Sequence, residues 1–105
     1  MVRGEVVRLR MPRGRRGSEQ RGARYGIVVQ ADELLALSTV LVSPTSRSAP
    51  RRTFRPTVEV AGEETRVLVE QTTAVGTERL GDSAGRLSAR ELRDVDAALG
   101  LVFGL

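Results

Sequence analysis

Two short apolar runs, each followed by turn-forming residues, limit the possible folds of this chain most sharply. Residues 25–31, YGIVVQA, form a continuous apolar run, which is typical of a strand buried on both faces. Residues 38–43, STVLVS, have the same character, and Pro44 is expected to end that strand. Both runs therefore predict central strands of a sheet.

Further strands are predicted on either side of these two runs. Residues 4–10, GEVVRLR, are short and β-branched, which indicates a first strand, and residues 32–37, DELLAL, are long enough only for a helical turn. Residues 57–62, TVEVAG, and 65–71, TRVLVEQ, form a predicted strand pair around a turn that contains glycine. The core positions expected in this pair are Val58, Val60, Val67 and Val69.

The last segment carries the clearest helix signal. Ser88 and Glu91 form a predicted capping box, in which the serine hydroxyl accepts from the Glu91 amide and the carboxylate returns to the serine amide. Apolar residues follow at spacings of three and four, which predicts an amphipathic helix that covers the sheet. This stripe consists of Leu92, Val95, Leu99 and Val102, and Gly100 and Gly104 are expected to loosen or end the helix.

The order of these elements predicts a mainly β protein of the α+β class, with residues 1–105 forming one domain. Consecutive strands joined by short turns favour an antiparallel, strongly curled sheet or small barrel, followed by the C-terminal amphipathic helix. The only aromatic residues are Tyr25, Phe54 and Phe103, so Val, Leu, Ile and Ala must fill the core. Because bulky side chains are few, we expect the chain to pair with a copy of itself.

The composition excludes several kinds of chemistry. The chain has no cysteine and no histidine, so it lacks disulfides, the usual zinc ligands and the usual thiol or imidazole nucleophiles. Residues 1–20 contain no apolar segment of the signal-peptide kind, and no run approaches the roughly 18–20 apolar residues that cross a bilayer. We therefore expect a cytoplasmic protein that uses no metal or cofactor and contacts no membrane.

Positive charge is concentrated in the first half of the chain. Residues 1–55 carry twelve arginines against four acidic residues, and residues 56–105 carry five arginines against nine acidic residues. A basic half of this kind is expected to bind a polyanion. The alternative is that the surface charge only keeps the protein soluble.

Two arginine-rich loops supply most of this charge. Residues 11–24 and 44–56 combine arginine with glycine, proline and serine, and loops as long as the first are usually functional or disordered. They follow the first strand and the 38–43 strand, so we expect them at the same end of the barrel. That arrangement would bring Arg24, at the start of the 25–31 strand, near Thr45.

These segments together resemble the MazF/PemK family of toxin endoribonucleases. The resemblance covers nearly the whole chain in the family's order and spacing. It rests on RGEV at 3–6, GSEQRG at 17–22, RYGIVVQAD at 24–32, STVLVSPTS at 38–46, VLVEQ at 67–71 and ERLGDSAGRLSARELRDVDAALGLVFGL at 78–105. The chain departs from the family where Tyr25 and Gly26 replace proline and an aliphatic residue. It departs again where Val7 replaces an aromatic residue and Thr73 replaces arginine.

The resemblance implies a compact SH3-like barrel of the CcdB/MazF type with a helix over it, acting as a homodimer. It also implies cleavage of single-stranded RNA at short motifs without a metal. It places the family's catalytic arginine at Arg24 and its catalytic hydroxyl at Thr45, and it identifies the loop glutamate of GSEQ as Glu19.

RNA cleavage is possible without histidine because the RNA's own 2′-hydroxyl can attack the neighbouring phosphorus. Arg24 would stabilise the charge that develops on the phosphate, since a guanidinium stays charged and offers a planar fork of donors. Thr45 would donate its hydroxyl to the same phosphate, and Glu19, the only carboxylate in either basic loop, is the candidate base. The alternatives are an arginine that only binds the RNA backbone or pairs with Glu19, and a threonine that only forms a turn.

Other residues of the two loops and the adjoining strands are expected to bind RNA. Arginines that hold phosphates give affinity with steep salt dependence and little sequence choice. Tyr25 or Phe54 could stack a base, although core packing is the favoured role of each. The predicted RNA-binding residues are Arg13, Arg15, Arg16, Gln20, Arg21, Tyr25, Ser46, Arg47, Arg51, Arg52, Arg55 and Gln71.

The leading hypothesis is the endoribonuclease toxin of a type II toxin–antitoxin pair. Its expected partner is an acidic, partly disordered antitoxin that wraps the basic groove and folds on binding. One alternative is a non-catalytic toxin such as a CcdB-like gyrase poison, although the C-terminal LGLVFGL lacks the tryptophan often found there. Another alternative is a barrel that binds RNA without cutting it.

Overall fold

The computed structural model describes residues 1–10 and 24–105. Within these residues the chain forms seven strands, one α-helix and short 3-10 turns at Asp32–Leu34, Val69–Gln71 and Thr77–Arg79. In chain order the strands are β1 (Glu5–Leu9), β2 (Tyr25–Val28), β3 (Thr39–Ser46), β4 (Thr57–Val60), β5 (Glu63–Val67), β6 (Thr73–Gly76) and β7 (Leu80–Arg86), and the helix α1 is Ala89–Phe103.

The described strands pair antiparallel in the order β4-β5-β3-β2-β1-β7, and β6 lies beside β3. One edge of β3 has two partners, because β6 pairs with Thr39 to Val42 and β5 pairs with Thr45 and Ser46. Register shifts between β1 and β7 add local twist. The sheet therefore curls into a half-barrel, and the predicted small antiparallel barrel with a C-terminal helix is confirmed.

Aliphatic residues fill both faces of the curled sheet. Val95 of α1 packs into the first group, which includes the four valines predicted as core, Val58, Val60, Val67 and Val69, each at most 6% exposed. The second group consists of Val7, Val28, Val40, Val42 and Val75. Ile27 and Val28 are adjacent in β2 and enter different groups, so β2 is buried on both faces, as predicted.

Helix α1 begins and ends as the sequence predicts. The Glu91 amide donates to Ser88 Oγ at 3.1 Å and the Ser88 amide donates to Glu91 Oε1 at 2.8 Å, which confirms the capping box. Gly104 ends the helix with a φ of 73°. Val102 is 37% exposed rather than core, because the last turn of α1 extends beyond the packed surface, and Ala98 is buried instead.

Pro44 lies inside β3, so the prediction that it ends the strand is wrong. Its carbonyl accepts from the Leu68 amide at 2.8 Å, on the edge where the partner of β3 changes from β6 to β5. The nitrogen and the carbonyl of a strand residue point to the same side, so the missing N–H falls at this break in the ladder. The strand therefore continues to Ser46 and carries Thr45 within it.

Two strands escape the sequence analysis, and one predicted strand is shorter than expected. The residues of β7, LGDSAGR, are mostly exposed and show little apolar alternation, because β7 lies at the edge of the sheet. Strand β6 is also short, with Val75 as its buried residue. Residues 69–71 form a 3-10 turn rather than the end of β5, although Val69 is buried as predicted.

No helix within residues 1–10 and 24–105 combines the length and the apolar character that a membrane span requires.

Candidate functional site

The β2–β3 ladder brings the start of β2 against the end of β3. Gly26 pairs with Pro44 and Ile27 pairs with Ser43, and one residue further along the hydroxyl of Thr45 donates to the carbonyl of Tyr25 at 3.4 Å. Both segments therefore meet at one end of the sheet.

Arg24 is exposed and directly precedes β2. Its backbone carbonyl accepts from the Leu9 amide at 2.9 Å, which anchors the residue to the end of β1. Among the described residues, none forms an ion pair with its guanidinium. Arg24 thus carries an exposed cation on the residue before Tyr25, whose carbonyl accepts from Thr45.

A cavity of about 300 Å³ opens beside Thr45, between β3 and the β4–β5 hairpin. Tyr25 forms part of its wall and also packs against the core, with the Arg8 guanidinium 5.8 Å from the ring centroid. Thr65 is only 3% exposed and lines the cavity from β5. The complete lining is Tyr25, Thr45, Arg47, Val60, Ala61, Glu63 and Thr65.

Arg47 and Glu63, which both line this cavity, form an ion pair. The two side chains are 68% and 58% exposed, so water screens their attraction and the pair contributes little to stability. The hairpin that carries Glu63 turns at Ala61 and Gly62, whose φ angles of 53° and 81° make a tight connection.

The other arginines of the second basic loop differ in how firmly they are held. Arg51 approaches Glu64 at 3.9 Å, and Arg52 donates to the Arg51 carbonyl at 2.7 Å, with both side chains exposed. Arg55 is less exposed, at 19%, and its Nε and Nη2 both donate to Glu70 Oε2 at 3.0 and 2.8 Å. A phosphate contact by Arg55 would have to compete with this ion pair.

The remaining predicted site residues are placed as follows. Ser46 ends β3, with its hydroxyl 3.4 Å from that of Ser48. Gln71 is exposed in the 3-10 turn after β5 and does not line the cavity. Six predicted residues lie outside the described residues: Arg13, Arg15, Arg16, Glu19, Gln20 and Arg21.

Sequence reasoning did not identify Glu63 and Thr65 as part of the site. Both belong to the acidic half of the chain, whose strand pair was expected to contribute core valines and Gln71. The available signal was the alternation in β5, which places Thr65 on the same face as Val67. Only the β3–β5 pairing shows that this face adjoins Thr45.

Close packing explains why this chain has glycine at position 26, where the family pattern has an aliphatic residue. A Cβ at this position would overlap Val42 Cγ1 and lie 3.2 Å from Leu9 Cδ1. Val42 and Leu9 therefore occupy the space that a larger residue at position 26 would fill.

A group of three or more metal-binding side chains does not occur within the part of the chain that the structure describes. The cavity beside Thr45 is lined by one arginine and one carboxylate, which pair with each other, and by hydroxyl groups.

The sequence-family model that describes the PemK-like, MazF-like toxins of type II toxin–antitoxin systems matches residues 2–103 of this chain. Rv3098A of Mycobacterium tuberculosis, whose name describes a toxin, is 38% identical over 106 residues, covering 100% of this chain and 99% of that protein.

Two solved structures share the fold at identities too low to show more than the fold. An endoribonuclease from a mycobacterial species, in complex with its cognate antitoxin, has a TM-score of 0.82 at 18% identity, covering 100% of this chain and 96% of that chain. MazF from Deinococcus radiodurans has a TM-score of 0.79 at 21% identity, covering 100% and 97%. Because the family match spans residues 2–103, the chain belongs to the PemK-like, MazF-like toxin family of type II toxin–antitoxin systems.

Proposed function

We propose that this toxin is a metal-independent endoribonuclease that cuts single-stranded RNA at short motifs in the cytoplasm. The observation that supports the proposal is the β2–β3 register, which brings Thr45 to the carbonyl of Tyr25, the residue that follows the exposed Arg24. Family membership and the names of the two solved neighbours, an endoribonuclease and MazF, support it.

The proposed reaction uses a nucleophile that the substrate supplies. The 2′-hydroxyl attacks the adjacent phosphorus, forms a P–O2′ bond and breaks the P–O5′ bond, leaving a 2′,3′-cyclic phosphate and a 5′-hydroxyl. A base must accept the 2′-hydroxyl proton, and a proton must reach the departing 5′ oxygen. Between these steps, negative charge builds up on the phosphate oxygens, where positioned donors are most effective.

Arg24 and Thr45 take the role of positioned donors in this proposal. The guanidinium offers parallel N–H groups to two phosphate oxygens, and it stays charged through the reaction. The bond from Thr45 to Tyr25 is long at 3.4 Å, so the hydroxyl can turn to a phosphate oxygen at little cost. Glu19, in the first basic loop, remains the proposed base.

The exposed arginines of the second basic loop, Arg47, Arg51 and Arg52, are the proposed phosphate contacts. Each phosphate contact adds to the salt dependence of binding without selecting a sequence. The same basic surface would attract an acidic antitoxin, and the mycobacterial neighbour binds its own cognate antitoxin.

A homodimer is the proposed assembly. Large apolar side chains are exposed on the monomer, and a second copy would remove them from water. Those of the described residues that support this are Leu34, Leu37, Leu41, Leu101 and Phe103. Light scattering after size exclusion should give twice the mass of one chain.

Cleavage of single-stranded RNA in EDTA tests the function directly. The wild type should cut the RNA, and the Arg24→Ala variant should cut about 10²–10³-fold more slowly, as expected for the loss of one positioned donor. Arg90→Ala, an exposed arginine on α1, is the matched control and should cut at the wild-type rate. Intact RNA with wild type, or equal rates for wild type and Arg24→Ala, would refute the proposal.

A further inference from the structure

We propose that the hydroxyls of Ser43 and Thr72 form a positioning pair that fixes the end of β3, and with it Thr45, for the cleavage reaction. Neither residue lines the cavity beside Thr45. The inference rests on the proposed function, because Thr45 acts as a positioned donor only in that proposal. Its evidence is a hydrogen-bonded chain at the place where β3 changes its partner.

The chain of hydrogen bonds has a fixed direction. The Thr72 hydroxyl donates to the Val69 carbonyl at 2.7 Å, and the hydroxyls of Thr72 and Ser43 are 2.7 Å apart. A hydroxyl has one proton, so Thr72, which gives its proton to Val69, accepts from Ser43. The chain therefore runs from β3 through Thr72 to the 3-10 turn that carries Val69.

The pair spans a break in the ladder of β3. The pairing of β3 with β6 extends to Val42, and two residues later the Pro44 carbonyl accepts from the Leu68 amide at 2.8 Å. Residues 69–72, between these two partners, turn out of the ladder. Pro44 has no N–H that could add a second backbone bond at this point. The hydroxyl pair ties the turn back to the strand across the break.

Burial makes this bond a precise constraint. Ser43 is 0% exposed, and it lies on the same face of β3 as Thr45, two residues later. Apolar contacts have no preferred direction, whereas a hydrogen bond weakens steeply when its angle changes. In a buried setting this directional bond is also stronger than in water. The hydroxyl pair thus holds the strand and the turn in one relative position.

Thr45 needs this support because its own side-chain contact leaves room for movement. Its hydroxyl lies 3.4 Å from the Tyr25 carbonyl, and β3 ends at the next residue, Ser46. A displacement of about 1 Å in a reacting geometry can slow a reaction on the order of 10²-fold. RNA affinity, in contrast, is assigned to the exposed arginines of the second basic loop. Loss of the pair should therefore reduce the rate and leave binding intact.

Variants of Thr72 separate the rate from binding. Thr72→Val keeps the shape of the side chain and should lower kcat for RNA cleavage about tenfold with KM unchanged. Thr72→Ser keeps a hydroxyl and should recover most of kcat. Thr77→Val, a change at an exposed threonine, should match wild type. An unchanged kcat in Thr72→Val, an equal loss in Thr72→Ser, or a loss confined to KM overturns the positioning role.

Ser43→Ala tests the direction of the chain. Loss of the Ser43 hydroxyl leaves Thr72 bonded to Val69, whereas loss of the Thr72 hydroxyl deprives the fully buried Ser43 of its acceptor. Thr72→Val should therefore lower the urea midpoint more than Ser43→Ala does. The double variant should be at least as stable as Thr72→Val alone. A double variant less stable than Thr72→Val contradicts the pairing.

Amide hydrogen exchange tests the positioning without RNA. The Leu68 amide, bonded to Pro44, reports on the end of β3, and the Val29 amide, which donates to the Leu41 carbonyl at 3.1 Å, reports on an earlier part of the strand. In Thr72→Val, exchange at Leu68 should accelerate about tenfold relative to Val29, as expected for the loss of one hydrogen bond. Equal acceleration at both amides would reveal only a global loss of stability and would overturn the proposal.

The two proposals fail in different ways. If wild type cuts RNA and Thr72→Val changes neither kcat nor exchange at Leu68, the positioning pair is wrong and the endoribonuclease stands. If wild type cuts no RNA while exchange at Leu68 accelerates in Thr72→Val but not in Thr72→Ser, the endoribonuclease is wrong and the pair still fixes the strand end.

Discussion

Thr45 donates its hydroxyl to the backbone carbonyl of Tyr25 across the β2–β3 ladder, at 3.4 Å. This contact joins the end of one strand to the start of another, 20 residues earlier in the chain. It sets the side chain of Thr45 beside the cavity and holds the strand end that follows Arg24. Because this bond is long, the hydroxyl can turn its proton to a second acceptor at little cost.

Thr45→Val should remove activity without unfolding the protein. The loss of one positioned donor should slow RNA cleavage about 10²–10³-fold, while the loss of a long, partly exposed hydrogen bond should lower the free energy of unfolding by about 1 kcal/mol or less. Thr45→Ser should recover most of the rate. Thr39→Val, an exposed change at the other end of β3, is the control. A Thr45→Val protein with the wild-type rate would remove Thr45 from the reaction.

Gly26→Ala should destabilise the protein because the added methyl group overlaps Val42 in the core. Overpacking of this kind costs about 1–3 kcal/mol, measured by urea unfolding. Adding Val42→Ala should make the double variant more stable than the sum of the single changes predicts. Gly100→Ala is the opposite control, since it has open space within α1 and should gain about 0.5–1 kcal/mol. Equal effects at both glycines would contradict the packing explanation.

Arg55→Ala should affect stability more than RNA binding. Removal of the guanidinium leaves the Glu70 carboxylate, 25% exposed, without its cation, and Glu70 Oε1 is already buried without a partner among the described residues. We expect a loss of about 2–3 kcal/mol in the free energy of unfolding, below the full cost of breaking a completely buried pair. Urea unfolding measures this change.

Arg51→Ala should affect RNA binding more than stability. Its side chain is 71% exposed, so the free energy of unfolding should change by less than ~0.5 kcal/mol. If Arg51 holds one phosphate, the slope of log affinity against log salt should decrease in magnitude by about 0.7. Filter binding of single-stranded RNA at several salt concentrations measures the slope. An unchanged slope would place Arg51 outside the RNA surface.

Local patterns predicted those elements whose stability is local or whose burial is complete. The capping box at Ser88 and the burial of β2 on both faces could be predicted from the sequence. The first depends on neighbouring residues and the second on an unbroken apolar run. Strand β7 was missed because its residues form the sheet edge, where burial imposes little pattern. The prediction that Pro44 ends its strand failed for a related reason. A proline is tolerated inside β3 only because the partner of β3 changes at that point, which the sequence does not show.

The candidate site was predictable only on its basic side. Arg24 and Thr45 stand at the ends of recognisable strands, and the two basic loops suggested that these ends meet. The acidic partners Glu63 and Glu70 come from the half of the chain with excess negative charge, and they meet Arg47 and Arg55 only in the folded chain. Pairing across 15 or 16 residues leaves no local pattern, so the division between held and exposed arginines required the structure.

Glu5 should make the stability of the fold pH-dependent at acid pH. A hydrogen bond from Ser83 is the main cause that lowers the pKa of Glu5 from its ordinary value of 4.5, against an opposing effect of burial. The Val2 amide, the N-terminus and Arg86 lower this pKa further. The folded state therefore favours the ionised carboxylate more than the unfolded state does.

The stabilisation from Glu5 is thus complete above pH 4.5 and is lost as the pH falls through the lowered pKa of the folded state. Glu5→Gln should be less stable than wild type at pH 7, by about 1 kcal/mol for one weakened hydrogen bond. That difference should shrink progressively below pH 4.5, as urea unfolding across a pH series would show. Glu33→Gln, an exposed change in the first 3-10 turn, should follow the wild-type curve throughout. A difference between Glu5→Gln and wild type that persisted unchanged to pH 2 would show that the effect of Glu5 does not depend on its charge.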